Sequence, residues 1–313
     1  YRWGRYDLLV LPPSFPYGGM ENPRLSFMTP TLIAGDKSLT NVVAHELAHS
    51  WSGNLVTYAT LRDNWLNEGI TSYVENRVIE ELYGRDRAVM EQVLAMQELT
   101  RSIAEAARPE LTQLKLPADL SPADSASVVA YEKGQFFMQF LETRFGRTEF
   151  DAFLKDYFDH FAFQSITTED FVKYLHDKLH VTDPDALTRE ELNDWLYGQG
   201  LPVTAPDPQS DAFNQVSAHQ AQWLAGEIGA DALPTDGWST HEWLYFLNTM
   251  PDGTTVNQLA ALDAAFALTG TRNAETAFAW YMQAIKVGYS PADAALEEFL
   301  ITVGRGKFIY RLY

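Results

Sequence analysis

The sequence contains no cysteine, which excludes disulfides, iron–sulfur clusters and thiolate metal sites. Any metal bound by this chain must be held by histidine and carboxylate. Cations are scarce as well: 23 Lys and Arg stand against 42 Asp and Glu, for a formal net charge of −19. Binding a phosphate backbone needs a basic face, so no nucleic-acid partner is expected, nor attraction to an anionic membrane surface. No apolar run approaches the ~18 residues of a membrane span, and no membrane insertion is expected. A Met start and a basic-then-apolar leader are also missing. The sequence opens on Tyr1 and reads as a piece of a longer protein. Apolar material is plentiful, at 46% hydrophobic and 13% aromatic residues. A chain of 313 residues predicts about two domains.

The first 35 residues hold an apolar run, Leu8 to Leu11, and then "PPSFPYGGMENP". This predicts a strand, a turn region and an edge strand, because proline is confined to the edges and ends of sheets. From Lys37 the pattern turns helical. "SLTNVVAHELAHSWSG" has Ser38 or Thr40 as a starter and Gly53 as a stop. A second helix is predicted from Asn64 to Tyr83 with Gly84 as its cap, and a third over "ASVVAYEKGQFFMQFLETRFG". Capping boxes pairing Thr167 with Asp170 and Thr188 with Glu191 open further helices. "YGQGLPVTAPDPQSD" has no helical period and reads as a linker over 199–211. About five amphipathic helices follow, broken by short turns, which predicts a compact or solenoid-like all-α domain. The expected fold is therefore mainly α, with an α+β domain over 1–198 and an all-α domain over 212–313.

The motif that carries chemistry is "HELAH". Positions i and i+4 share one face of a helix, so His45 and His49 are able to aim both imidazoles at one ion. Spacing alone is a modest signal, and the chain carries its own look-alike. "HDKLH" puts His176 and His180 at the same interval, but Gln199 stands where a third ligand would be sought. That pair flanks the apolar stripe of Phe171, Leu175 and Leu179 and reads as a helix edge. His49 is followed, after eighteen residues, by Glu68 in "NWLNEGITSYVE". Trp65, Ile70, Tyr73 and Val74 give that segment a helical period. A carboxylate on a core-packed helix near two histidines needs a partner, for which a divalent cation is one candidate and plain solvation the other. His₂Glu is a known catalytic zinc set that leaves a fourth position open.

HELAH, eighteen residues and then Glu is the gluzincin pattern. With "YGGMEN" upstream and "YEKG" downstream, the chain resembles the zinc aminopeptidases of peptidase family M1, in the branch of leukotriene A(4) hydrolase and aminopeptidase B. The resemblance is close over residues 1–85, moderate to 200, and sparse beyond until "GRGKF". It implies a thermolysin-like catalytic domain followed by a helical domain, without the β-sandwich that precedes them in the family. That absent part is expected to pack on the catalytic domain. One zinc ion is implied, held by His45, His49 and Glu68, with Glu75 steadying a zinc histidine from behind. Glu46 is implied as general base and then general acid, and Tyr131 as hydrogen-bond donor to the oxyanion. Without the resemblance, Tyr131 would read as a core residue and Glu46 as a surface one.

Glu21 stands beside Gly18, Gly19 and Met20. Two glycines admit a substrate backbone closely, and a carboxylate next to them suits a free α-ammonium. The bland alternative is a turn with an exposed Glu. The resemblance assigns Glu21 to the ammonium, Gly18, Gly19 and Met20 to substrate contact, and Arg305 and Lys307 to the carboxylate of a short peptide. Tyr17 and Met20 are candidates for lining the side-chain pocket. It also implies a cytoplasmic location. Aligned without gaps on Tyr131, Ala123 and Ala126 stand where the animal leukotriene hydrolase has an aspartate and a tyrosine linked to epoxide opening. The expected activity is thus removal of the N-terminal residue from short peptides. Epoxide hydrolysis and an inactive zinc-bound scaffold are the rivals.

Overall fold

The computed structural model describes residues 1–120, 128–180, 183 and 185–313. The early apolar run forms β1 (Asp7–Val10). Two more short strands, β2 (Gly19–Met20) and β3 (Leu25–Met28), join it in the order β1-β3-β2. β2 is thus an edge strand, antiparallel to β3 with Gly19 opposite Met28 and Met20 opposite Phe27. The proline-rich segment before it cannot donate a full ladder, which keeps the strand short.

The HELAH segment is helical, α1 (Thr40–Ala48). A short strand, β4 (Val56–Tyr58), leads to α2 (Trp65–Tyr83), which ends at Gly84 with φ 88°. α3 (Arg85–Ala104) follows at once. The predicted third helix has two parts: a π-helical turn over Val129–Lys133, then α4 (Gly134–Phe145). Its predicted first residues lie outside the described ones. Beyond come α5 (Arg147–His160), β5 (Gln164–Ile166), α6 (Thr168–Leu175) and α7 (Arg189–Tyr197). β5 pairs in parallel with β4. Both predicted capping boxes are formed, at Thr167 with Asp170 and at Thr188 with Glu191.

The chain divides into two compact units. The first comprises Tyr1–Asp7, Glu21–Ser26 and Ala44–Pro208; the second comprises Leu8–Met20, Phe27–Val43 and Gln209–Tyr313. In the first unit α2 packs on α3, α4 and the π-turn. Its core is aromatic: the Trp65 ring meets Phe137 at 5.5 Å and Phe171 at 5.2 Å, both edge-on. Such edge-to-face pairs add to the area they bury. The segment expected as a linker is irregular, but Leu201 and Ala205 pack on this core. Trp195 Nε1 also donates to Thr204 Oγ1 at 3.1 Å. Apolar side chains within a proline-rich stretch have fastened it down.

The second unit carries six helices where about five were expected: α8 (Asp211–Leu224), α9 (Thr240–Asn248), α10 (Val256–Phe266), α11 (Ala274–Val287), α12 (Asp293–Thr302) and α13 (Gly306–Leu312). The extra one follows "VGR", which interrupts the last helical run. α11 is the buried centre, with Trp280 and Tyr281 within a core that includes Phe246, Leu262 and Phe308. The early segments join this unit through backbone bonds, Gly304 N to Pro13 O and Gly306 N to Pro16 O, both 2.8 Å.

Within the first unit, one contact fixes how closely α2 approaches the π-turn. A Cβ added at Gly69 would lie 2.6 Å from Gly134 Cα and 2.9 Å from Ala130 O. Only a pair of glycines permits this. Overpacking typically costs ~1–3 kcal/mol, so Gly69→Ala is expected to destabilise the protein by at least that amount in denaturant unfolding. Gly237→Ala, where an added Cβ has no atom within 4 Å, should stay within ~0.5 kcal/mol of the parent.

Candidate active site

α1 and α2 bring three polar atoms together. His45 Nε2 and His49 Nε2 are 3.1 Å apart. Glu68 Oε2 lies 3.4 Å from the first and 3.3 Å from the second. The other nitrogen of each ring is already engaged. His45 Nδ1 is 2.8 Å from Glu75 Oε2. His49 Nδ1 is 2.7 Å from Ser52 O and 3.1 Å from Thr71 Oγ1. With each Nδ1–H donated outward, both Nε2 atoms present lone pairs inward, as metal-binding histidines do.

Two lone pairs and a carboxylate oxygen crowded within 3.4 Å repel one another unless positive charge lies among them. Glu68 Oε2 is buried and lacks a hydrogen-bond partner. Burial alone would raise the Glu68 carboxyl, but the two histidines beside it hold it down to about 2. For His45, burial would lower the value, and Glu68 and Glu75 more than reverse this, raising it well above the ordinary range. This donor set fits a zinc ion, the His₂Glu composition of a catalytic site. Among the described residues these three and the overlapping group Glu21, Glu46 and His49 are the clusters able to hold a metal. The look-alike does not join them: no third ligand completes a group with His176 among the described residues. His176 is exposed, 3.3 Å from Asp177.

Three further groups surround this centre within the first unit. Glu46 is buried with Oε2 unpartnered. Burial pushes its carboxyl up to about 7, with His45 and His49 opposing and Glu21 and Glu68 assisting. A carboxylate oxygen of Glu21 lies within 4.8 Å of a carboxylate oxygen of Glu46 and of a ring nitrogen of His49. The Tyr131 ring stacks on His45 at 5.8 Å between centroids and 18° between planes. Its phenol is raised well above the ordinary value by burial, then by Glu68, Glu21 and Glu46, so it remains a hydrogen-bond donor.

The second unit gathers the other predicted residues. Arg305 donates to Glu275 Oε1 at 2.9 Å and Lys307 to Glu275 Oε2 at 2.8 Å. The two cations expected to be available for a substrate carboxylate are thus paired on a buried acid. Burial would raise Glu275, but Lys307 and Arg305 hold it below its ordinary value. Arg305 also packs its guanidinium over Phe308 at 5.1 Å. Gly18 stands against this cluster, where an added Cβ would be 2.9 Å from Arg305 Nη2. Gly19 and Met20 form β2, and Tyr17 and Met20 are exposed. Ala123 and Ala126 lie outside the described residues.

Sequence reasoning missed the scaffold. Ser52 Oγ donates to Leu66 O at 2.8 Å and Asn67 O at 3.1 Å, tying the loop after α1 to the start of α2. Asn54 Nδ2 donates to Glu21 O at 2.8 Å, and Asn54 N to His49 O at 2.9 Å. "SWSGN", directly after the second histidine, was the available signal. For Glu275, the helical pattern around it offered none.

Two histidines one helical turn apart and a glutamate from the next helix thus converge as a group able to hold a metal ion. The chain belongs to peptidase family M1, whose domain matches residues 1–193, and residues 238–313 match the leukotriene A4 hydrolase C-terminal domain. Leucine aminopeptidase 2 of Yarrowia lipolytica is 34% identical over 99% of this chain and 51% of its own length. The structure of yeast LTA4 hydrolase in complex with bestatin superposes with a TM-score of 0.87 at 33% identity, covering 100% of this chain and 55% of the yeast one. An M1 zinc metallopeptidase from Deinococcus radiodurans, bound to a Tyr-Ser-Ala substrate, gives 0.51 at 25% identity over 65% of this chain and 41% of that one. The chain spans about half the length of the curated relatives it matches. The mainly α architecture, a catalytic domain followed by a helical one, is that of LTA4 hydrolase.

Removing one partner from a buried charge cluster typically costs ~3–5 kcal/mol. Glu275→Ala, which strands buried Arg305, is expected to lose stability on that scale in denaturant unfolding. Lys307→Ala removes a half-exposed group and should cost well under half as much.

Proposed function

We propose that the protein is a zinc-dependent aminopeptidase that removes the N-terminal residue from short peptides. The observation that carries the reading is the buried, unpartnered Glu68 Oε2 facing two imidazole nitrogens. We assign His45, His49 and Glu68 as ligands of one zinc ion. Bound there, zinc would polarise a scissile carbonyl and lower the pKa of water toward ~7.

The remaining steps belong to side chains. Glu46 precedes the second histidine by less than one helical turn and lies beside the ligands without joining them. Its carboxylate takes the proton of the attacking water and passes one to the leaving amine. A carboxyl poised at about 7 exchanges protons near neutral pH, as such a shuttle requires. Tyr131, stacked on His45 and kept protonated, donates to the oxygen on which negative charge develops. Glu21 accepts the substrate's α-ammonium, held at its backbone by Asn54. An ammonium fixed so near the base counts one residue from the peptide's end, which separates an exopeptidase from an endopeptidase. By the family resemblance Gly18, Gly19 and Met20 are assigned to substrate contact, and Arg305 and Lys307, paired on Glu275, to a substrate carboxylate.

The reading predicts that Glu46→Gln in the zinc-loaded full-length protein abolishes cleavage of aminoacyl amides while zinc content stays the same. An unchanged rate would show that Glu46 is not the base. Glu75→Gln should weaken zinc binding ~10–100-fold, the usual effect of losing a partner behind a zinc histidine. Titration with a competing chelator measures this independently of turnover.

A further inference from the structure

The π-turn carries a second unusual side chain. Lys133 is fully buried, at 0% exposure. Its Nζ donates to Thr112 O and Gly198 O, both at 2.9 Å. The two segments it reaches are themselves joined: Gly200 N donates to Thr112 Oγ1 at 2.8 Å, and Lys115 N to Leu196 O at 2.9 Å. Burying an ammonium on backbone carbonyls is costly compared with an apolar side chain of the same length. Stability alone therefore does not explain a lysine here.

Its place in the turn does. Residues two apart in a helical turn face nearly opposite ways. Tyr131 points to His45, while Lys133 points back into the 112 and 198 segments. On either side of them, at Ala130 and Gly134, the chain is pressed against Gly69 of α2, the residue after Glu68. A π-turn has a wider, less regular ladder than an α-helix and is frequent at functional sites, although the turn at His176–His180 shows that it does not mark one on its own. By itself it leaves the aim of its side chains weakly fixed. We infer that Lys133 is a positioning residue, whose two bonds to the backbone at 112 and 198 lock the π-turn and so hold the Tyr131 hydroxyl where the oxyanion forms.

Two points support this. The bonds are charge-assisted and therefore short on freedom. Burial lowers Lys133 to about 8, with Asp194 opposing, so near neutral pH the group stays an ammonium. The inference rests on the role proposed for Tyr131.

A double-mutant cycle on the zinc-loaded full-length protein tests it. Lys133→Met is expected to lower kcat for an aminoacyl amide at least tenfold, with KM and zinc content within twofold of the parent. Lys133→Arg, which keeps a cation, should recover part of the loss. In a Tyr131→Phe background, Lys133→Met should change kcat less than twofold, because the hydroxyl it positions is gone. An equal loss in both backgrounds would overturn the proposal and leave Lys133 a structural residue. If Lys133→Met does not fold, Lys133→Arg goes through the same cycle, and a loss that persists without the hydroxyl again overturns it. Unchanged kcat in Tyr131→Phe alone refutes the assignment of Tyr131 instead, and the positioning role falls with it.

Discussion

The first unit is built around three groups that share one site only when positive charge lies among them. Glu68 and the inward nitrogens of His45 and His49 lie within 3.4 Å of one another. The protein holds them there from outside. Glu75 and the carbonyl of Ser52 hold the rings from behind, and Ser52 pins the loop to α2. Gly69, the residue after Glu68, allows α2 to close on the π-turn. The helix that carries Glu68 therefore also bears on the turn that carries Tyr131.

The same economy explains the contrast between the two acids near this centre. Glu68 and Glu46 are both buried, yet the first is held down to about 2 and the second pushed up to about 7. Direct contact with both imidazoles makes the difference. Glu46 feels the same charges from a greater distance and in the presence of Glu21. Two carboxyls of one residue type are thus pushed in opposite directions by position alone.

How much of this was legible beforehand follows a physical rule. Features that depend on neighbours in sequence were readable: the α1 pair, the Gly84 stop, both capping boxes, and the edge strand next to the prolines. Glu68 was readable because one helix-to-helix step sets its distance. Features created by tertiary contact were not. Nothing local in "YEKG" announces a π-turn, since the extra residue is accommodated only where α2 and α4 press on it. Glu275 was hidden for the same reason: an acid on a buried helix shows its function only once Arg305 and Lys307 have been folded against it. The proline-rich stretch after α7 read as a tether, although Leu201 and Ala205 find partners in a distant core.

The make-up of the second unit bears on the order in which the chain is assembled. Residues 8–20 and 27–43 belong with helices that begin only at residue 211. The carbonyls of Pro13 and Pro16 have to wait for the amides of Gly304 and Gly306. The carbonyls of Pro13 and Pro16 therefore lack these partners until almost three hundred residues have followed them from the ribosome. Contacts so far apart in sequence close slowly, and exposed segments in the interval invite aggregation. The prolines leave that segment few amides to offer other chains, which suits a stretch whose carbonyls wait longest for their partners.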